Sequence, residues 1–366
     1  MHKGKKGNQE KSNNPKFKVE GKVWFGNKGF YSDDVFGEHD KEDESKKKFF
    51  DHAWEKAKMN NMESLSLLLQ KYIPFIDEAK IKERKRDGRI KIEDWLNFKD
   101  DPISGDTKKL FLDKIVRYEL FYEFFKERVD KQKEDLKHQQ YEIILDNYKL
   151  KTASRLVVGL GAEHVLETSS TLHHIFGIPY IPGSALKGVV RMVNFWEIAE
   201  SRGLKDDKDI EKLQEQLYDK ELSSTDKDDI LKHKLLFGTQ NFKGLLVFLD
   251  AYPEIQNNQQ IFELDVMTPH YQGYYTKNQV PGDWENPNPI PFLTVKKGIT
   301  FCFNVLFDKF RAEKIKNSLQ GAKVIEDWEK NNYSDLMKDV KDWLEIALKE
   351  FGVGAKTRLG YGIFEE

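Results

Sequence analysis

The sequence predicts an α+β protein with a helical first part followed by a ferredoxin-like (split βαβ) domain. Three observations carry this reading. Apolar residues recur at helical spacing, with few glycines, from about Lys46 to Leu150. Short β-rich runs punctuated by glycine and proline follow it. From Arg155 onward the elements read strand, helix, strand, strand, helix, strand.

Residues 1–45 read as a basic arm and lead-in, because residues 1–22 hold seven lysines against Glu10 and Glu20. A mobile tail of this kind is either solvated or an RNA contact. Residues 46–150 read as a helical region, with Phe50, Ala53, Trp54 and Ala57, then Ile115, Leu120, Phe124 and Val129, at helix spacing. Pro74, Gly88 and the segment 101–105 divide it into several helices.

The domain 151–366 is expected to open with a strand over 155–160. A helix over 184–200 follows the Pro182-Gly183 turn, with Ser184 as N-cap and with Lys187 and Arg191 on one face. Residues 205–234, almost all charged or polar, read as an exposed helical insertion, a solvated spacer. Strands are expected over 244–250, 299–307 and 359–364, with a helix over 333–351. Between Pro253 and Ile299 no convincing regular element runs the full length, so the fold carries a long irregular insertion. It holds Tyr271, Tyr274, Tyr275, Trp284 and six prolines, which suits either contact with RNA or a neighbouring subunit, or a loop packed on its own domain.

Composition excludes several classes. The single cysteine, Cys302, cannot form a disulfide within the chain and lies in the apolar run 301–307, where an inert thiol is expected. No stretch approaches the ~18 apolar residues of a membrane helix, and the lysine-rich start lacks the core of a secretory signal, so a cytoplasmic location is expected. A net charge of -2 neither demands nor excludes nucleic acid. Zinc and two-metal ligand spacings are missing, so no metal is expected. No cofactor is expected either: Gly-Lys-Ser/Thr is absent, and the glycine-rich segment follows a helix instead of forming a βα turn.

That segment spaces Gly352, Gly354, Gly360 and Gly362 as GxGxxxxxGxG around Lys356 and Arg358. Glycine permits close backbone approach and positive φ, so main-chain N–H groups can face an anion beside the two cations. It reads as a phosphate-binding loop or as a helix C-cap with a tight turn. Residues 173–191 begin with His173 and His174 and deliver a helix N-terminus, a ready anion site, with Ser184 at its mouth and Lys187 one turn in. The strand at 243–248 superficially resembles an RNA-recognition strand, but Leu245 and Val247 stand where stacking aromatics are needed. Backbone recognition remains, which suits RNA of any sequence.

The stretch IPGSALKGVVR (181–191) resembles the turn-plus-helix signature of RAMP-superfamily proteins, and 352–362 resembles their C-terminal glycine-rich loop. Phe237-Gly238, the run 244–253 and the run 265–275 resemble, more narrowly, the RAMP subunit that caps the backbone of type III-B (Cmr) CRISPR complexes near the crRNA 3′ end. The resemblance covers roughly the last 215 residues. It implies a ferredoxin-like RAMP domain and a non-catalytic subunit. Its partners would be crRNA, target RNA and other Cmr subunits, especially the repeated backbone subunit, to which slicing belongs. RNA contacts would come from His173, His174, Ser184, Lys187, Arg191, Gly352, Gly354, Lys356, Arg358, Gly360 and Gly362. Asp265, His270, Tyr271, Tyr274 and Tyr275 would belong to a thumb or partner contact. The rival reading is a RAMP-type endoribonuclease that processes CRISPR precursor RNA, with His173 or His174 as general base.

Overall fold

The computed structural model describes residues 122–366 apart from 163–167, 219–221, 223–225, 257–258, 270–273, 275–279, 281, 283–288 and 318–321, together with 112, 113, 115–117 and 120. The basic arm and most of the expected helical region lie outside the described residues, as do His270, Tyr271, Tyr275 and Trp284.

Helix α1 (Tyr122–His138) leads directly into strand β1 (Tyr141–Thr152). The helical reading to Leu150 therefore ends too late. Ile143, Leu145 and Leu150 pair with β6 (Thr300–Asp308), and cross-strand burial of this kind overrides local helical spacing. The expected strand at 155–160 is instead an irregular segment with one bridge, Leu156 to Val295. Helix α2 (Gly183–Ser201) follows, then α3 (Asp207–Tyr218), α4 (Asp228–Phe237) and the short strands β2 (Leu246–Phe248) and β3 (Tyr252–Pro253). Within the insertion 253–299, β4 (Phe262–Met267) and β5 (Ile290–Val295) form a two-stranded antiparallel ladder. Thus part of the stretch expected to be irregular is regular. After β6 come α5 (Lys309–Lys316), α6 (Ala322–Lys330) and α7 (Ser334–Ile346), the last closing in a wider π turn over Ala347–Phe351. The chain ends in β7 (Phe364–Glu365).

The main sheet has the order β2-β6-β1-β7, with every neighbouring pair antiparallel and β3 added beside β6. With α2 between β1 and β2, and α7 between β6 and β7, this is consistent with split-βαβ connectivity. Side chains alternate along β6. Phe301 and Phe303 meet Phe364 on one face, and Phe307 meets Trp328 and Tyr333. Cys302 and Asn304 point to the other face, where residues of α1 close a cleft of about 600 Å³. Burial, then the nearby Glu254, pushes the Cys302 thiol up, which keeps it protonated and unreactive.

The 205–234 segment is not a solvated spacer. Leu213, Leu217 and Ile230 are buried with Ile198 and Ala199 of α2, so α3 and α4 close a satellite core behind that helix. The polar residues of α3 form its outer face, whereas His233 and Lys234 of α4 are themselves buried.

Candidate functional site

The π turn at the end of α7 delivers Gly352, and the glycine loop folds back against the segment 155–158. Ala355 N–H donates to the Val157 carbonyl (2.8 Å), Gly362 N–H to the Arg155 carbonyl (2.8 Å) and Val353 N–H to the Gly362 carbonyl (3.0 Å). Two glycines are demanded by these contacts. A Cβ on Gly354 (φ +98) would lie 2.4 Å from the Val157 oxygen, and one on Gly362 (φ +69) would lie 2.0 Å from the Val353 oxygen. Close approach here is thus to the chain's own backbone.

The middle of the loop is different. Lys356 is left-handed (φ 62°, ψ 27°) and Thr357–Leu359 forms one 3₁₀ turn. Among the described residues the N–H groups of Lys356, Thr357 and Arg358 make no backbone hydrogen bond. Three consecutive N–H groups in a left-handed-to-right-handed turn form a concavity that favours an anion. The Lys356 ammonium lies 5.6 Å from the Phe292 ring centroid. Arg358 is exposed and Gly360 meets nothing within 4 Å.

Asp265 of β4 ties this loop to the β4–β5 ladder. Its carboxylate accepts from Arg155 Nη1 (2.9 Å) and from the Tyr361 hydroxyl, while Arg155 Nε also donates to Glu263 (2.7 Å). Burial pushes Asp265 up, but the bonds from Tyr361, the Val266 N–H and Arg155 outweigh it and hold the carboxyl below its usual range. Tyr274, the other described residue of the expected thumb, is half-exposed.

Helix α2 departs from expectation at its mouth. Pro182, not Ser184, is the N-cap, and Ser184 lies exposed inside the helix. Gly183 opens the helix because a Cβ there would lie 2.1 Å from the Phe248 carbonyl oxygen. Its N–H donates to Asp250 Oδ1 (2.7 Å), so the chain's own carboxylate occupies part of the dipole's positive end. Lys187 points inward and donates to the Leu246 carbonyl (2.8 Å). Burial, then Arg191, Lys243 and Arg311, pushes its ammonium down to about 8. Arg191 donates from Nε to His233 Nε2 (3.3 Å), with its guanidinium 4.1 Å from the Tyr218 ring centroid.

The histidines sit in a turn beneath α1. His173 Nδ1 accepts from the Ile175 and Phe176 N–H groups (3.3 and 3.4 Å), and the ring packs edge-on to Phe125 and stacks on His174. Burial first, then His174, pushes His173 below its ordinary value. A neutral ring whose Nδ1 accepts carries its proton on Nε2, a donor and not a base. Sequence reasoning brought Lys356 and Arg358 together with the glycines, and Asp265 joins them in space. It missed Lys243, Arg311 and His233, which come from separate elements and share no spacing with Lys187 or Arg191.

Among the described residues, no group of three His, Cys, Asp or Glu side chains is placed to hold a metal, and no helix is long and apolar enough to cross a membrane. Comparison with known proteins matches residues 149–365 to the RAMP superfamily (RAMPs). The chain is 31% identical over 357 residues to the CRISPR system Cmr subunit Cmr6 of Pyrococcus furiosus, covering 82% of this chain and 94% of that one. It is 26% identical over 251 residues to the corresponding Saccharolobus solfataricus subunit, covering 68% and 66%. Among solved structures it resembles a chain of the type III-B Cmr-beta complex bound to cognate target RNA, with TM-score 0.44, 23% identity and coverage of 73% and 76%. It also resembles the crystal structure of Cmr6 from Pyrococcus furiosus, with TM-score 0.38, 33% identity and coverage of 62% and 98%.

Proposed function

The chain belongs to the RAMP superfamily, and on that premise we propose that it is a non-catalytic, crRNA-binding scaffold subunit of a type III-B CRISPR RNA-targeting complex. It would act in the cytoplasm near the crRNA 3′ end, beside the repeated backbone subunit and the target RNA. One observation carries the RNA contact: the Lys356–Arg358 turn presents three consecutive N–H groups without backbone acceptors among the described residues, flanked by two cations. Main-chain donors read phosphate, not base, as a guide holder must. Gly352, Gly354 and Gly362 support this turn by letting its flanks lie against neighbouring backbone, while Gly360 leaves open space beside it.

The processing-nuclease reading is less well supported, because the inward Nδ1 of His173 already accepts from its own turn. His173 and His174 suit a structural or phosphate-contacting role, and Ser184 stands exposed near the helix mouth. The deciding experiment is a salt-dependent titration of single-stranded RNA against the parent and Lys356→Glu/Arg358→Glu. The double variant should melt like the parent, bind RNA much more weakly and show a salt slope lower by about 1 for each phosphate it no longer neutralises. Parent-like affinity and slope would reduce this loop to turn chemistry.

A further inference from the structure

Arg191 in α2 and Arg311 in α5 each bury a guanidinium nitrogen that has no hydrogen-bond acceptor among the described residues: Nη2 in one and Nη1 in the other. An unpaired buried donor on a charged group is costly, and native chains seldom retain one without a use.

The orientation of Arg191 is over-determined. Burial, then Arg191 itself, pushes His233 down to about 3, so the ring is neutral and its Nε2 accepts from Arg191. Its Nδ1–H then donates to Asn194 Oδ1 (2.7 Å). Asn194 Nδ2 in turn donates to Glu197 Oε2 (3.1 Å), which also accepts from Trp343 Nε1 (2.7 Å). This relay pins one edge of the guanidinium and leaves Nη2 unpaired.

Arg311 reaches the same end of the sheet, where β2 enters and β6 leaves. Leu246 pairs with Phe307, and Asp308 N–H donates to the Leu245 carbonyl (3.0 Å). The Arg311 guanidinium lies 5.4 Å from the centroid of Phe242, the neighbour of exposed Lys243. Lys187 binds the Leu246 carbonyl at this end. The charges that push the Lys187 ammonium down, those of Arg191, Lys243 and Arg311, are all cations.

We propose that Arg191, Arg311, Lys187 and Lys243 form a second anion site, which takes a backbone phosphate of RNA at the end of the sheet opposite the glycine loop. This rests on the RNA-binding reading above. The two sites are separated by the length of β6, roughly 25–30 Å for nine residues at about 3.3 Å each. RNA is favoured over an acidic protein face because the cations alternate with rings. Tyr218 backs Arg191, and Phe310 lies 4.2 Å from the Lys314 ammonium; both rings are half-exposed, and such faces stack bases.

The test compares the full-length parent, Arg311→Met/Lys243→Gln and Lys356→Glu/Arg358→Glu. Each is melted alone, with inorganic pyrophosphate and with polyglutamate, and titrated with a short mixed-sequence RNA at several salt concentrations. Without ligand, Arg311→Met/Lys243→Gln should melt at or above the parent, since an unpaired buried charge has gone. It should lose part of the pyrophosphate stabilisation and about ten-fold in RNA affinity, with a salt slope lower by about 1 for each phosphate left unneutralised. The glycine-loop variant should keep the share of pyrophosphate stabilisation that the second site supplies, and a variant that combines all four substitutions should lose both shares. Parent-like RNA affinity and slope in Arg311→Met/Lys243→Gln, beside a defective glycine-loop variant, would overturn this site and leave the RNA reading standing. Stabilisation by polyglutamate alone would also overturn it, in favour of a protein carboxylate. A parent that binds no RNA at any salt would sink both readings.

Discussion

At the β7 end of the sheet Arg358 stands in solvent and Lys356 leans toward the Phe292 ring, while neighbouring loop N–H groups donate to the chain's own carbonyls. At the β2 end Lys187, Arg191 and Arg311 are partly buried, backed by rings or a carbonyl, and two guanidinium nitrogens have no acceptor among the described residues. The first end organises backbone and leaves charge in water, where each cation costs little. The second desolvates charge and so concentrates an unbalanced field. Lys and Arg side chains alike in sequence therefore carry different energetics, set by burial and not by charge count.

The largest effect expected from breaking this contrast lies at the first end. Gly362→Val would place side-chain atoms against the Val353 backbone at a positive φ, so a loss above about 4 kcal/mol is expected in denaturant unfolding. Gly360→Ala, with open space around it, should cost only about 1 kcal/mol, the penalty of positive φ. Equal losses at the two positions would mean that the loop is not held by backbone approach.

Next in size is a control at the second end. Lys234 is fully buried and paired with Asp226 at 3.0 Å, which shows how this chain balances a buried cation. Asp226→Asn should destabilise by about 3–5 kcal/mol, because it takes the carboxylate charge away from a buried cation. Arg311→Met, which removes an unpaired one, should not. A similar penalty for both would abolish the distinction between balanced and unbalanced cations.

His233 sharpens the comparison through pH. Its folded value of about 3 lies below the ordinary 6.5, so only the unfolded chain takes up a proton between those values. The resulting penalty is absent above pH 6.5 and grows as pH falls toward about 3. In His233→Gln the fall in stability across this window should be shallower than in the parent, as read by unfolding at stepped pH. An unchanged slope would mean that the relay does not exclude the proton.

The smallest effect is expected at Asp265. It joins the loop to the β4–β5 ladder through the Tyr361 hydroxyl, and it pairs with Arg155, whose side chain is 45% exposed. Asp265→Asn should therefore cost less than about 1 kcal/mol in a thermal melt. A larger loss would make this ion pair a structural clamp.

Much of the fold was legible in local pattern. The helix of 183–201, the strands around 246–248 and 300–308, the helix near 334–346 and the glycine loop all follow from spacing that neighbouring residues enforce on one another. Even there, local pattern misplaced two features. Residues Tyr141–Thr152 carry helix-compatible spacing but form the central strand, because β6 and β7 pair with them across more than a hundred residues. The segment 155–160 looks like a strand but lends its carbonyls to the glycine loop instead of a ladder.

For the site, the sequence by itself determined the glycine spacing, the cations inside it and the Pro-Gly entry to α2, since each depends on residues within one turn of each other. Only the tertiary structure decided that Asp250 fills part of that helix's mouth, that Asp265 reaches the loop, and that Arg191 and Arg311 both act on Lys187. Those outcomes depend on strand register and on which side chains lose water, and both are set by packing between elements far apart in the chain.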